Sequence, residues 1–215
     1  MIELVAAAAA AVPLAAGWSW HALQLRRRIT DARRDPLTGL ATRAEFEERA
    51  AASLLRGPRV VMVLDLDGFK QINDALGHAA GDEVIRIVGR RLAAWADQHG
   101  GIVARLGGDE FAAVLPVLSY ADLDRTMDGL GEQLTVPAVF EDCEVPVGFS
   151  AGVVWSHPRQ VPNPGLAGWL RRADEAMYLA KRSGGGWHLA VGPDPALPTV
   201  NGRRKGRRGS SGVAA

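Results

Sequence analysis

The chain has a single cysteine, Cys143, in 215 residues. That excludes an internal disulfide framework and fits a reducing compartment. The thiol itself is expected to be a small, buried, apolar side chain. Net charge is also scarce, only +1, but it is unevenly spread. Residues 1–34 sum to +3 and residues 192–215 to +4, which leaves −6 for residues 35–191. The centre of the chain therefore lacks the excess of basic residues that a nucleic-acid grip needs, and no specific nucleic-acid partner is expected. An acidic domain that handled phosphates would require metal ions to screen them. With 47% hydrophobic and 23% charged residues, the composition is that of a globular protein with a substantial core.

Charge is absent altogether from Leu4 to Leu25. About 20 such residues suffice for a membrane-spanning helix. Trp18, Trp20 and His21 lie near its end, and Arg26, Arg27 and Arg28 follow at once. A secretory signal carries its positive charge in the opposite order. Residues 1–25 are therefore expected to be a single-pass anchor in a bacterial inner membrane, with everything after Arg26 in the cytoplasm. Residues 26–33 are expected to form a short basic stalk, and no separate sensory domain is expected before the central one. The tail, residues 192–215, is rich in Pro, Gly and Arg and is expected to be disordered.

Between the ends, helical and strand patterns alternate. Pro36 and Gly39 break the stalk. Thr42 is a candidate N-cap for a helix reaching Leu55, on which Phe46, Ala50 and Leu54 recur every four residues. "RVVMVLDLD" (Arg59 to Asp67) reads as a central strand. "GDEVIRIVGRRLAAWA" (Gly81 to Ala96) reads as an amphipathic helix with Val84, Ile87, Val88, Leu92 and Trp95 inward. "GIVARL" and "EFAAVLPV" form a hairpin turning on Gly107-Gly108. A helix over Ser119 to Leu134 capped by Ser119, a strand of period-2 character over Val145 to Trp155, a helix over Leu166 to Arg182 and a short last strand complete residues 34–191. The pattern implies an α/β or α+β layer with at least one antiparallel pair.

Acidic residues fall where this pattern makes them costly. Asp65 and Asp67 end a buried strand, and Asp109 and Glu110 follow the hairpin glycines. Buried charge is expensive unless it is paired or bound to metal. Carboxylates at strand ends beside a turn without side chains make a hard, oxygen-rich edge suited to Mg²⁺. Gly107 and Gly108 would let a bulky substrate approach the backbone.

Five ordered blocks sharpen this reading: "DPLTGLATR", "DLDGFKQINDALGHAAGDEV", "RLGGDEF", "FSAGV" and "ADEAMYLAKRSG". In these blocks, which cover nearly all of 34–190, the chain resembles the GGDEF diguanylate cyclase family. The resemblance implies a central mixed sheet wrapped by helices, related to nucleotidyl cyclases and polymerase palms. It implies condensation of two GTP into cyclic di-GMP by paired subunits, with Mg²⁺ or Mn²⁺ as cofactor. By position, Asp65, the Leu66 carbonyl and Asp109 would ligate metal, supported by Glu110. Asp109 would also assist loss of the 3′-hydroxyl proton. Asn73 and Asp82 would bind the guanine edge. Phe69 and Lys70 would line the phosphate pocket beside Gly107 and Gly108, and Lys181 would contact terminal phosphates.

The chain departs from the family pattern in two places. Where a phosphate-gripping arginine often follows the lysine by four residues, Gly185 stands. Where many members carry an Arg-x-x-Asp feedback site, the chain has Gln98 and Gly101, so no feedback inhibition is expected there. A GTP-binding regulatory module without turnover is the alternative implied by the first departure.

Overall fold

The computed structural model describes residues 32–157 and 163–191, together with 18, 20, 21 and 24. Most of the expected anchor and of the stalk, and all of the basic tail, lie outside the described residues. Among the described residues no helix is long and apolar enough to cross a membrane.

Helix α1 (Arg43–Leu54) precedes the strand β1 (Arg59–Asp67). Next come α2 (Phe69–Leu76), α3 (His78–Gln98), β2 (Ile102–Gly107) and β3 (Glu110–Pro116). Helix α4 (Tyr120–Leu134) is followed by β4 (Ala138–Phe140), β5 (Cys143–Val145) and β6 (Gly148–Ser156). Helix α5 (Gly165–Arg182) and β7 (Gly186–Leu189) end the domain. Five strands form one sheet in the order β2-β3-β1-β6-β7, and β4 and β5 pair as a separate ribbon. All neighbours in the large sheet are antiparallel except β6 and β7, which run parallel. This is the mixed sheet wrapped by helices that the family resemblance implies, with the antiparallel pairing that the residue pattern implies.

The sheet is buried on both faces, and alternation along β1 assigns the layers. Val60, Met62 and Leu64 point into a core with Val84, Val88, Leu92 and Trp95 of α3 and Leu123, Met127 and Leu130 of α4. Val61 and Val63 point the other way, to Phe46 and Ala50 of α1 and Trp169, Ala173 and Met177 of α5. Two-sided burial explains why β1 is a continuous apolar run. It also corrects the period-2 expectation for Val145–Trp155: β6 starts at Gly148 and six consecutive residues, Phe149 to Val154, are buried. Helix α5 lies flush on β6 at Gly152, where an added Cβ would fall 1.8 Å from the Ala173 carbonyl oxygen.

Other boundaries also shift. Thr42 stands at the N-cap of α1, but its side chain makes no capping hydrogen bond. Ser119 does cap α4, its hydroxyl accepting from the Asp122 amide at 3.2 Å. Helix α3 begins at His78, three residues earlier than its apolar pattern indicates, and buries Ile85 fully while Ile87 is only partly covered. Cys143 is exposed, not buried. It sits on the small β4–β5 ribbon, which has no second layer over that side chain.

Candidate functional site

The acids gather at one end of the central strand pair. Asp65 stands directly opposite Glu110 in the β1–β3 register, so their side chains leave the same face of the sheet, with Cβ atoms about 5 Å apart. That face is the one α5 covers. From the last turn of α5, Lys181 Nζ reaches Asp65 Oδ1 at 2.6 Å. The Asp65 side chain is only 7% exposed, so this cation neutralises a carboxylate that burial would otherwise penalise.

Asp109 occupies the turn itself. Gly107 pairs with Glu110, so the two loop residues are Gly108 and Asp109, not the two glycines. Gly108 has φ +57, the left-handed conformation that the first position of a tight hairpin turn demands. The Leu66 amide donates to the Asp109 carbonyl at 3.3 Å, which ties the turn to the end of β1. Gly107 and Gly108 are exposed, and Asp109 and Glu110 are half-buried.

Asp67 has a different task. It accepts a hydrogen bond from Ser150 Oγ at 2.8 Å, and Gly185 passes above it. A Cβ at Gly185 would lie 2.9 Å from Asp67 Oδ2 and 3.2 Å from the Phe149 carbonyl, and φ there is +103. The backbone at 185 is thus shaped for glycine, and a side chain would be strained.

The base-contact candidates lie on α2 and α3. The residue pattern did not separate α2 as a helix. Asn73 packs its side chain over Gly81, where an added Cβ would meet Asn73 Oδ1 at 2.1 Å and the Phe69 ring at 3.1 Å. Asn73 and Phe69 therefore sit against the residue before Asp82. Asp82 lies within α3, not at its N-cap, which is Gly77. Asp82 also borders a cavity of about 400 Å³ with Glu83, Arg86, Val139, Phe140 and Glu141. Lys70 is exposed and pairs with Asp74 at 2.8 Å, whose hydrogen bond holds the ammonium above its ordinary pKa.

These donors suit a divalent metal in kind. They are hard oxygens, and Lys181 Nζ rests on Asp65 as a cation in contact with one of them. Among the described residues no group of three or more acidic, His or Cys side chains is close enough to hold an ion alone. Magnesium commonly takes one or two carboxylates and completes its shell with phosphate oxygens and water, and Asp65, Asp109 and the Leu66 carbonyl match that economy.

A residue pair to which the motif reading gave no role also contacts the Gly108–Asp109 turn. Arg105 donates from Nε to the Gly108 carbonyl at 2.9 Å and from Nη1 to both Asp35 oxygens at 3.2 Å. The two side chains are 14% and 17% exposed. Burial alone would raise the Asp35 carboxyl, but hydrogen bonds from Thr38 and the Arg105 charge outweigh it and hold the group below its ordinary value.

Against known proteins, the model described as diguanylate cyclase, GGDEF domain, matches residues 32–186. The chain belongs to the GGDEF diguanylate cyclase family. A 19.3 kDa Streptomyces ambofaciens protein in the repSA 5′ region, named as uncharacterized, is 42% identical over 175 residues, covering 81% of this chain and 91% of that protein. Diguanylate cyclase TpbB of Pseudomonas aeruginosa is 38% identical over 174 residues, covering 77% of this chain but 39% of TpbB. Among solved structures, the coiled coil and GGDEF domain of DgcB from Caulobacter crescentus, in complex with c-di-GMP, aligns with a TM-score of 0.72 at 28% identity, covering 87% of this chain and 99% of that one. The GGDEF architecture is thus shared across the described domain.

Proposed function

We propose that the protein is a diguanylate cyclase that condenses two GTP into cyclic di-GMP and releases two pyrophosphates. The observation that carries this reading is the convergence of Asp65, Glu110 and the Gly108–Asp109 turn at one sheet end, with Lys181 paired to Asp65. Asp65, Asp109 and the Leu66 carbonyl would hold a divalent cation, Mg²⁺ or Mn²⁺, and Glu110 would support the set. When bound, such a cation neutralises phosphate charge and makes a nearby hydroxyl easier to deprotonate. Asp109 would take part in removing the 3′-hydroxyl proton, and Lys181 would bind the terminal phosphates. Phe69, Lys70, Gly107 and Gly108 line the phosphate path. Asn73 and Asp82 select guanine, because an adenine edge would leave their polar atoms unpaired at about 1–3 kcal/mol each.

One subunit supplies one GTP, so the ring closes only across a homodimer. The anchor proposed at residues 1–25 would confine copies to the bacterial inner membrane and raise their effective concentration. Carbonate washing of fractionated cells tests it: a protein released by carbonate is not a spanning one. Gln98 and Gly101 supply no Arg-x-x-Asp site, so product inhibition through that position is not expected.

The decisive assay incubates the full chain with GTP and Mg²⁺ and follows cyclic di-GMP, in parallel with Asp109→Ala. Product from the parent and none from the variant supports the cyclase. Tight GTP binding without product supports a regulatory GTP-binding module instead, a reading favoured by the side-chain-free bend at Gly185.

A further inference from the structure

The Gly108–Asp109 turn is held from both sides, and the two restraints differ in origin. On one side the Asp109 carbonyl accepts from the Leu66 amide, a contact within the sheet. On the other, the Gly108 carbonyl accepts from Arg105 Nε, a side chain that reaches along its own strand from three residues back. A guanidinium can do this and still engage a second partner, because its donors form a rigid planar fork. The second partner is Asp35, 70 residues away in sequence.

Asp35 is itself locked. Its Oδ1 accepts from the Thr38 amide at 2.8 Å and the Thr38 hydroxyl at 2.7 Å. Its amide donates to the Leu40 carbonyl, and its carbonyl accepts from the Gly39 amide, both at 2.8 Å. The loop it stands in is fixed to the same strand as the arginine, with Ala41 bridged to Ala104 and the Arg105 amide donating to the Ala41 carbonyl at 3.2 Å. The loop is also where the chain enters the domain from residue 34.

We infer that Arg105, oriented by Asp35, is a positioning residue for the catalytic turn: it fixes the Gly108–Asp109 peptide and thereby the direction in which Asp109 presents its carboxylate. The inference rests on the cyclase reading for the role of Asp109, but the clamp is a matter of structure and can be judged apart from turnover. Neither residue is among those assigned to the metal or to GTP. A glycine turn needs such a restraint, since glycine has the widest backbone freedom of any residue, and a misplacement of about 1 Å near reacting groups costs up to about a hundredfold in rate.

The test compares the full-length parent with Arg105→Lys and Asp35→Asn by amide hydrogen exchange, thermal melting, GTP binding and steady-state kinetics. Arg105→Lys keeps the positive charge beside Asp35 but removes the fork that spans both partners. Its amides over 106–110 are expected to exchange at least fivefold faster, while those of β1 over 61–64 stay as protected as in the parent. Its kcat is expected to fall at least tenfold, with KM for GTP and the binding affinity within about threefold. Asp35→Asn keeps the guanidinium and is expected to show the same pattern with smaller changes.

Unchanged exchange over 106–110 in a folded Arg105→Lys protein overturns the inference. So does faster exchange spread equally through β1, which marks a general loss of stability, or a kcat as high as the parent's. A parent that makes no cyclic di-GMP defeats the functional reading, and the exchange pattern alone then decides the clamp.

Discussion

Two hairpin turns among the described residues, Gly108–Asp109 and Glu141–Asp142, carry acids and are built in opposite ways. The Gly108–Asp109 turn closes β2 and β3 within the five-stranded sheet. It places glycine where φ is positive and is pinned by Arg105 and Leu66. The Glu141–Asp142 turn closes the small β4–β5 ribbon, and there both central residues carry side chains at φ +47 and +63. Left-handed backbone costs an L-residue about 1–2 kcal/mol, somewhat less for Asp. The first turn avoids strain and has both of its carbonyls held from outside the turn. The second accepts strain on a ribbon with exposed Val139 and Cys143. Acidity alone therefore does not distinguish the two turns; the supporting contacts do.

The largest expected effect comes from removing the glycine advantage. Gly108→Val should reduce cyclic di-GMP formation a hundredfold or more and cost about 1–2 kcal/mol in denaturant melts, since a branched side chain resists φ +57. A variant with parental activity would erase the contrast. An intermediate effect is expected from pH. The Asp35 carboxyl is lowered on folding, below the roughly 3.9 of an unfolded chain. The stability it supplies is therefore complete above that value and is lost as pH falls through the lower, folded value. Melts from pH 6 to 2 should show this loss in the parent and a shallower one in Asp35→Asn, which at neutral pH should be less stable by about 1 kcal/mol.

A smaller change, of opposite sign, is expected at the strained turn. Asp142→Gly should raise stability by about 0.5–1 kcal/mol in denaturant melts and leave turnover within twofold. Smallest of all, Cys143→Ser should alter stability by less than about 0.5 kcal/mol, measured the same way, because the thiol is exposed.

What the sequence made legible follows from how local each signal is. The run Val60 to Leu66 could hardly be anything but a buried strand, and Ser119 ahead of α4 announced its cap. The acids of the site were visible because each stands at a strand end or turn. Helix α2 was missed because it is only eight residues long and buries none of them fully, although Phe69, Ile72 and Leu76 recur at helical spacing and Gly77 marks its end. The period-2 reading of β6 failed because helices cover both faces, a property of layers and not of the strand. Cys143 was misplaced because a thiol's usual burial says nothing about a two-stranded ribbon. The pairing of Arg105 with Asp35 left no trace in either neighbourhood, since only the docking of the entry loop against β2 brings the two together.

Gly152 shows how far such a hidden dependence can extend. The helix resting on it carries, one turn beyond Met177, the ammonium that meets Asp65. A single methyl group at that strand position would act as a shim, lifting the whole rod and drawing the ammonium away from its carboxylate. The reach of the lysine is set by an atom that is not there, 29 residues earlier in the chain. A substitution that a survey of the site would never consider thus has the leverage to disarm it.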